Sequence, residues 1–259
     1  MEIIKYEDVF FIRDGRKILN NINWTVNRGE NWAILGLNGS GKSSIINMLN
    51  AYESPTMGSL YVFGKRFGSY NWSNIKSRIG FVSNTLNRFI NTLNSQKVEN
   101  IVLSGKYSSI GLYKDIEETD IEKANELIRN FRLEHVKNNR YNTLSQGEQR
   151  LSLLSRAFMN SPDILVLDEP CSGLDIRARE TLLSALEEQV KKTNSNIIYI
   201  THQIEEIAPF ITHIALLYNG EIIDQGPKKE VLTEQNLSKV YCVNIELSWR
   251  NDRPWIVVV

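Results

Sequence analysis

Only two cysteines, Cys171 and Cys242, occur in the 259 residues. Two thiols cannot build a disulfide framework, and so low a count fits a reducing compartment. Long apolar runs are missing too. No stretch approaches the roughly 18 apolar residues that a spanning helix needs, so any membrane-spanning work falls to another chain. The N-terminus, MEIIKYEDVF, carries acids early and lacks an apolar h-region, which argues against a signal peptide. Neither sign of charge predominates. Thirty Lys and Arg balance thirty Asp and Glu, which disfavours a strongly basic nucleic-acid binder. The three histidines are scattered and the cysteines lie far apart, so no metal-site spacing appears. There is no low-complexity tract, internal repeat or Pro/Gly-rich linker. What is present, 42% hydrophobic and 23% charged residues, supports a sizeable core and excludes wholesale disorder.

The pattern along the chain is α/β. Ile3–Ile12 and Ile18–Val26 alternate as strands, with Asp14-Gly15 as the turn between them. Trp32–Leu35 is a strand that runs straight into a Gly-rich loop, and Ser44–Leu49 reads as a helix. From about Asn84 to Asn160 the texture changes to polar, Asn- and Ser-rich and mostly helical. There Thr119 and Glu122 suggest a capping box. Ile121, Ala124, Leu127, Ile128 and Phe131 form a helical stripe, read as packing within a helical subdomain. The α/β pattern then returns. Ile164–Leu167, Asn196–Ile200 and Ile214–Leu217 are fully apolar or nearly so, as strands buried on both faces are. Thr181–Val190 is an amphipathic helix, and Asn219-Gly220 is a hairpin turn before Glu221–Asp224. The tail Ile245–Val259 reads as short strands. A mostly parallel sheet covered by helices follows. The expected organisation is one domain over 1–259, with a helical insertion at about 84–160 and an α/β core from about 1–83 and 161–259.

Gly36-Leu37-Asn38-Gly39-Ser40-Gly41-Lys42-Ser43 fits the phosphate-loop pattern, between a strand and a helix. The glycines let successive N–H groups face an anion, and the helix N-terminus adds positive potential. Asn38, Gly39, Ser40, Gly41, Lys42, Ser43 and Ser44 are the expected nucleotide contacts. Lys42 reaches the β- and γ-phosphates, and Ser43 ligates Mg²⁺. At the end of the buried strand 164–167 stand Asp168 and Glu169, where ligand sites of open α/β sheets lie. Asp168 is the expected Mg²⁺ residue. Glu169 is the expected base that orients or deprotonates water. Leu144-Ser145-Gln146-Gly147-Glu148-Gln149-Arg150 precedes a helical run, Leu151–Phe158, and places Ser145 and Gly147 at a second helix N-terminus.

That segment resembles the signature motif of the ATP-binding cassette (ABC) ATPases, and the resemblance covers nearly the whole chain. Besides the phosphate loop and the acidic strand, Ser172-Gly173-Leu174-Asp175 is similar to the family's D-loop and Thr201-His202 to its switch histidine. The resemblance implies a P-loop NTPase fold of ABC type with an antiparallel β subdomain and a helical subdomain. It also implies ATP and Mg²⁺ as cofactors and a head-to-tail homodimer. Ser145, Gly147 and Glu148 of one chain then close on the ATP of the other, and His202 contacts the γ-phosphate. Gly105–Tyr113 and Ile211-Thr212-His213 resemble a cytosolic subgroup annotated for molybdate or iron uptake. His135 and His213 have no supporting motif and are read as structural, and Cys171 as a packing residue.

Two positions depart from the family pattern. Arg13 stands where an adenine-stacking aromatic residue is usual, and a guanidinium can also stack on a base. Asn84 stands where a glutamine usually ligates Mg²⁺ and meets the membrane partner. The expected function is the ATP-hydrolysing subunit of an ABC transporter, acting on a separate membrane permease from the cytoplasmic face. The alternatives are a soluble ABC ATPase acting on a nucleic acid or ribosome, and a degenerate ATP-binding regulator.

Overall fold

A computed structural model describes residues 1–83, 89–107 and 116–259. Asn84 and the segment Ser108–Tyr113 lie outside the described residues. In chain order the elements are β1 (Glu2–Arg13), β2 (Arg16–Asn27), β3 (Trp32–Leu35), α1 (Lys42–Leu49), β4 (Met57–Val62), β5 (Lys65–Arg66), α2 (Trp72–Lys76) and β6 (Ile79–Val82). Then follow α3 (Ile90–Ser95), α4 (Val98–Ser104), α5 (Glu118–Asn130), α6 (Gln146–Ala157), β7 (Ile164–Asp168), α7 (Ile176–Thr193) and β8 (Asn196–Thr201). The chain closes with β9 (His213–Tyr218), β10 (Glu221–Pro227), α8 (Lys228–Val231), α9 (Glu234–Tyr241), β11 (Ile245–Arg250) and β12 (Arg253–Val258). It divides into two compact units, Met1–Lys76 with Asn196–Val259, and Ser77–Ser195.

In the first unit, β1 and β2 form an antiparallel hairpin that continues through β4 to β5. Asp14 (φ 50) and Gly15 (φ 73) make its turn with both central residues left-handed, the geometry that matches strand twist in a two-residue hairpin. The strand β3, buried throughout, runs parallel to both β8 and β9, which explains why the sequence shows a short apolar run rather than alternation. A second left-handed pair, Asn219 (φ 48) and Gly220 (φ 80), joins β9 to β10. A Cβ on Gly220 would stand 2.5 Å from the Ile18 carbonyl oxygen, so this turn can approach β2 only as glycine. Between the β1–β2 hairpin and β3, the aromatic rings of Tyr6, Trp24, Trp32 and His213 pack in series. The Tyr6 hydroxyl donates to the Ile45 carbonyl of α1 at 2.6 Å.

One buried amide ties this unit together. Asn196 is 1% exposed. Its Nδ2 donates to the carbonyls of Asn27 (2.9 Å) and Glu30 (2.8 Å), and its Oδ1 accepts the Gly29 N–H at 3.4 Å. The β2–β3 turn is therefore pinned to the start of β8. Asn196→Ala removes all three of these hydrogen bonds from the turn; the Asn27 carbonyl keeps the Glu30 N–H at 3.2 Å, but the buried donor to the Glu30 carbonyl is lost. The substitution is expected to cost about 2–3 kcal/mol, a fall of roughly 5–10 °C in melting temperature for a chain of this size. Calorimetric unfolding checks this; a shift below about 2 °C would show that water replaces the amide.

The second unit holds the parallel pair β6 and β7 and helices α3 to α7. The apolar face of α5 is Ala124, Leu127 and Ile128, continued by Phe131, whose ring lies 5.8 Å from that of Phe158. Ile121 does not belong to that face and is 39% exposed. The expected capping box at Thr119 and Glu122 is also displaced. The N-cap is Glu117, and the Asp120 carboxylate accepts the Glu117 N–H at 3.3 Å. The cause is Lys106, whose Nζ lies 2.6 Å from Asp120 Oδ1. That ion pair turns Asp120 inward in the first turn and leaves Ile121 facing out. The amphipathic helix expected at Thr181–Val190 extends to the whole of α7, with Asp175 as its N-cap accepting the Ala178 N–H at 2.8 Å.

Candidate functional site

The strand β3 delivers the chain into the phosphate loop, where Gly36 and Gly41 are sterically required. A Cβ on Gly36 would lie 2.3 Å from the Leu217 carbonyl oxygen. Gly41 takes φ 106, and a Cβ there would lie 2.7 Å from Leu19 Cδ2 and 3.1 Å from the Ile18 carbonyl oxygen. The loop is thus moulded against β2 and β9, and its exit is the left-handed N-cap of α1. Gly41 supplies no side-chain cap and the first turn carries no acid. The orphan N–H groups of α1 therefore remain open to an anion. Asn38, Gly39 and Ser43 are exposed and Ser44 is half-buried, while Ser40 and Lys42 are buried. The Lys42 ammonium folds back over the loop and donates to the carbonyls of Gly36 (2.8 Å) and Leu37 (2.9 Å). The buried Ser40 hydroxyl has no hydrogen-bond partner in the protein.

The same unit carries Arg13 and His202. Arg13, at the tip of β1, is an exposed charge that is paired with an acid. Its Nη2 lies 2.6 Å from Oε1 of Glu53, whose side chain is 9% exposed, and its guanidinium lies over the Phe11 ring at 5.2 Å. His202 follows directly on β8 and is half-buried. It is followed by a single 3₁₀ turn, Ile204–Glu206, not a longer helix. The Thr201 hydroxyl accepts the Gln203 N–H at 3.0 Å and holds the chain in this tight turn.

In the second unit, Asp168 and Glu169 stand half-buried at the end of the buried strand β7. Glu169 adopts φ 49. A long side chain in the left-handed region costs on the order of 1 kcal/mol or more, and such residues concentrate at functional sites. Ser145 caps α6 reciprocally with Glu148. The Ser145 N–H donates to Glu148 Oε2 at 2.8 Å, the Ser145 hydroxyl donates to the same oxygen at 2.7 Å, and the Glu148 N–H returns to Ser145 Oγ at 3.3 Å. Partial burial opposes ionisation of Glu148. Hydrogen bonds from Ser145 and then His135 outweigh it and hold the carboxyl below the usual carboxylate range. The two helix N-termini thus differ: α1 is uncapped, whereas α6 carries its own carboxylate. A Cβ on Gly173 would lie 3.4 Å from Gln146 Oε1, and one on Gly147 would lie 3.2 Å from the Ala178 Cβ. The segment 172–175 and the start of α7 therefore pack on the N-terminus of α6.

Sequence reasoning missed several partners. Glu53 has no motif and is found only through Arg13. His135, read as structural, meets an acid at the surface: its Nε2 lies 2.9 Å from Glu148 Oε1, and its side chain is 65% exposed. Gln149 donates to the carbonyls of Tyr141 (3.1 Å) and Leu144 (3.4 Å), which fixes the turn leading into α6. His213 is structural as expected, stacked on Trp32 at 4.9 Å, and Cys171 is buried. Ser43 in the first unit and Asp168 in the second each offer an oxygen donor of the kind that a hard cation such as Mg²⁺ takes. Among the described residues no three His, Cys, Asp or Glu side chains gather as a metal cluster.

Comparison with known proteins gives this geometry a family. The sequence profile described as ABC transporter matches residues 19–172. An ABC transporter ATP-binding protein of Streptococcus mutans is 39% identical over 258 residues, covering 99% of this chain and 98% of that protein. The ABC transporter ATP-binding protein YlmA of Bacillus subtilis is 40% identical over 256 residues, covering 98% and 96%. Among solved structures, the ATP-binding cassette MJ0796, a dimer in a post-hydrolysis state with ADP and Pi, superposes with a TM-score of 0.71 at 25% identity. The match covers 87% of this chain and 98% of that one. This chain belongs to the ABC transporter family, as an ATP-binding and ATP-hydrolysing cassette subunit.

Proposed function

We propose that two copies of this chain close head to tail around two ATP molecules and that the cycle of closure and hydrolysis drives a separate membrane permease from the cytoplasmic face. The observation that carries the nucleotide half of this reading is the uncapped N-terminus of α1. It follows glycines that admit no Cβ at Gly36 and Gly41 and lies beside the buried ammonium of Lys42. In the proposed site the phosphates take N–H groups of the loop, those of Gly39, Gly41 and Ser43 among them, and the Lys42 charge; the Ser40 and Ser44 N–H groups donate to the Leu37 and Gly41 carbonyls. The Ser40 hydroxyl, which has no hydrogen-bond partner in the protein, gains one. Mg²⁺, held by Ser43 and Asp168, would neutralise phosphate charge. Glu169 takes the proton of the attacking water, and His202 donates to the γ-phosphate. Ser145 and Gly147 at the N-terminus of α6 approach the ATP of the partner copy. For that the Ser145 hydroxyl turns from Glu148 to phosphate, and the His135 side of Glu148 keeps the displaced carboxylate bound. Among the described residues no helix is long and apolar enough to cross a membrane.

The permease half is tested by purifying the Glu169→Gln variant with ATP from its own cells in detergent and identifying what remains bound after a high-salt wash. A multi-spanning protein at one complex per two cassettes supports the reading. RNA or ribosomal proteins in its place would move the chain to a soluble remodelling class.

Base recognition follows from Arg13. Its guanidinium is already engaged on one edge by Glu53 and on one face by Phe11, so phosphate contacts dominate binding. ATP and GTP are expected to differ by less than about tenfold in Kd, on the order of 1.4 kcal/mol. Arg13→Tyr should widen that gap. Calorimetric titration of both nucleotides against both forms checks it; a strong ATP preference in the natural protein would show that another residue reads the base.

A further inference from the structure

The C-terminal elements lie beyond the family match at residues 19–172, yet they grip the segment that carries His202. The Tyr241 hydroxyl, at the end of α9, donates to the His202 carbonyl oxygen at 3.1 Å. Arg253, at the start of β12, donates through Nε to the Glu205 carbonyl oxygen at 2.6 Å. Both contacts fall on the backbone of the turn between β8 and Phe210. From the other side, the Tyr199 hydroxyl of β8 donates to Glu206 Oε2 at 2.8 Å, and Glu206 is 2% exposed.

The gripping elements are themselves fixed. Asn251 (φ 51) and Asp252 (φ 60) form the left-handed turn between β11 and β12. Lys228, 5% exposed, holds that turn through the Asp252 carboxylate at 2.9 Å and its carbonyl oxygen at 3.0 Å. Lys229 holds the other carboxylate oxygen at 2.9 Å. The hairpin is pinned to α9 by the Ile245 N–H on Ser238 Oγ (3.0 Å) and the Leu247 N–H on Glu234 Oε1 (2.9 Å). Burial keeps the Tyr241 hydroxyl protonated far above its ordinary range, so it serves as a standing donor.

We infer that Tyr241 and Arg253 are positioning residues for His202, and that the C-terminal α9–β11–β12 segment is a clamp that sets the efficiency of hydrolysis. A carbonyl bond fixes the peptide plane that follows His202. The Cα–Cβ direction of His202, and with it the reach of the imidazole, depends on that plane. Two backbone anchors, one on residue 202 and one on residue 205, leave the intervening turn little freedom. Fixing a catalytic side chain to within a fraction of an ångström is worth rate rather than affinity. The inference rests on the proposed role of His202.

The test is steady-state ATPase kinetics on the full-length dimer, with radiolabelled ATP so that residual turnover is measurable. Tyr241→Phe keeps the ring and removes the one donor; Arg253→Met keeps the stem. Each is expected to lower kcat about fivefold, as the loss of one hydrogen bond allows, with KM for ATP within about twofold. In a His202→Ala background, adding Tyr241→Phe should lower turnover no further. Unchanged kcat in both single variants overturns the inference while leaving the role of His202 standing. An equal fold-loss with and without His202 also overturns it, because the tyrosine would then act elsewhere. Normal turnover in His202→Ala alone removes the underlying reading, and the inference with it.

Discussion

Replacing Glu169 with glutamine is expected to lower ATP turnover at least a hundredfold while leaving ATP affinity within about threefold of the natural protein. The carboxylate stands at the end of a strand buried from Ile164 to Leu167, so its backbone cannot drift. It holds φ 49, a conformation as costly for glutamine as for glutamate, so the substitution changes chemistry without relieving strain. An amide of the same shape can orient a water but cannot take its proton. The phosphate loop lies in the other compact unit and is untouched. With hydrolysis blocked, the proposed closed dimer is expected to accumulate. Hydrolysis rates and light-scattering mass with ATP and Mg²⁺ measure both effects. Turnover within tenfold of normal would remove Glu169 from the role of base.

The second large effect is at Lys42. Lys42→Ala is expected to weaken ATP binding about a hundredfold, close to 2.7 kcal/mol. That is the scale of one or two charge-assisted hydrogen bonds to phosphate. The ammonium is 5% exposed and lies within 2.9 Å of the carbonyls of Gly36 and Leu37. It is therefore already desolvated and aimed over the loop, and little ordering remains to be done when the triphosphate arrives. The same bonds give the residue a structural share. Without nucleotide, the variant should melt a few degrees lower, about 2–4 °C for 1 kcal/mol in a chain this long. Calorimetry with ATP and with ADP separates the two contributions. Affinity unchanged for both would mean that the ammonium stays on the loop carbonyls in the bound state.

What could be read along the chain is what local rules govern. The turn at Asp14-Gly15, the hairpin at Asn219-Gly220 and the phosphate-loop glycines Gly39 and Gly41 follow from φ values that few residues tolerate. The buried strands β3, β7 and β8 follow from short apolar runs. The ends of those strands place Gly36, Asp168 and His202 by topology alone. Local reading went astray at the start of α5. There Thr119 and Glu122 had the right types, but Lys106, 14 positions upstream of Asp120, decided which acid turned inward.

The chain by itself determined the family, the phosphate loop, the acidic strand end and the signature helix, because each is a pattern of neighbours along the backbone. Only the tertiary structure decided that Arg13 is held by Glu53, 40 positions away, and Glu148 by His135, 13 positions away. It also decided that the switch turn is gripped by Tyr241, 39 positions beyond His202. A hydrogen bond has a range of about 3 Å and carries no mark in the sequence of either partner. Which side chains come within that range is set by how hairpins and helices pack, and that depends on the burial of the whole core at once.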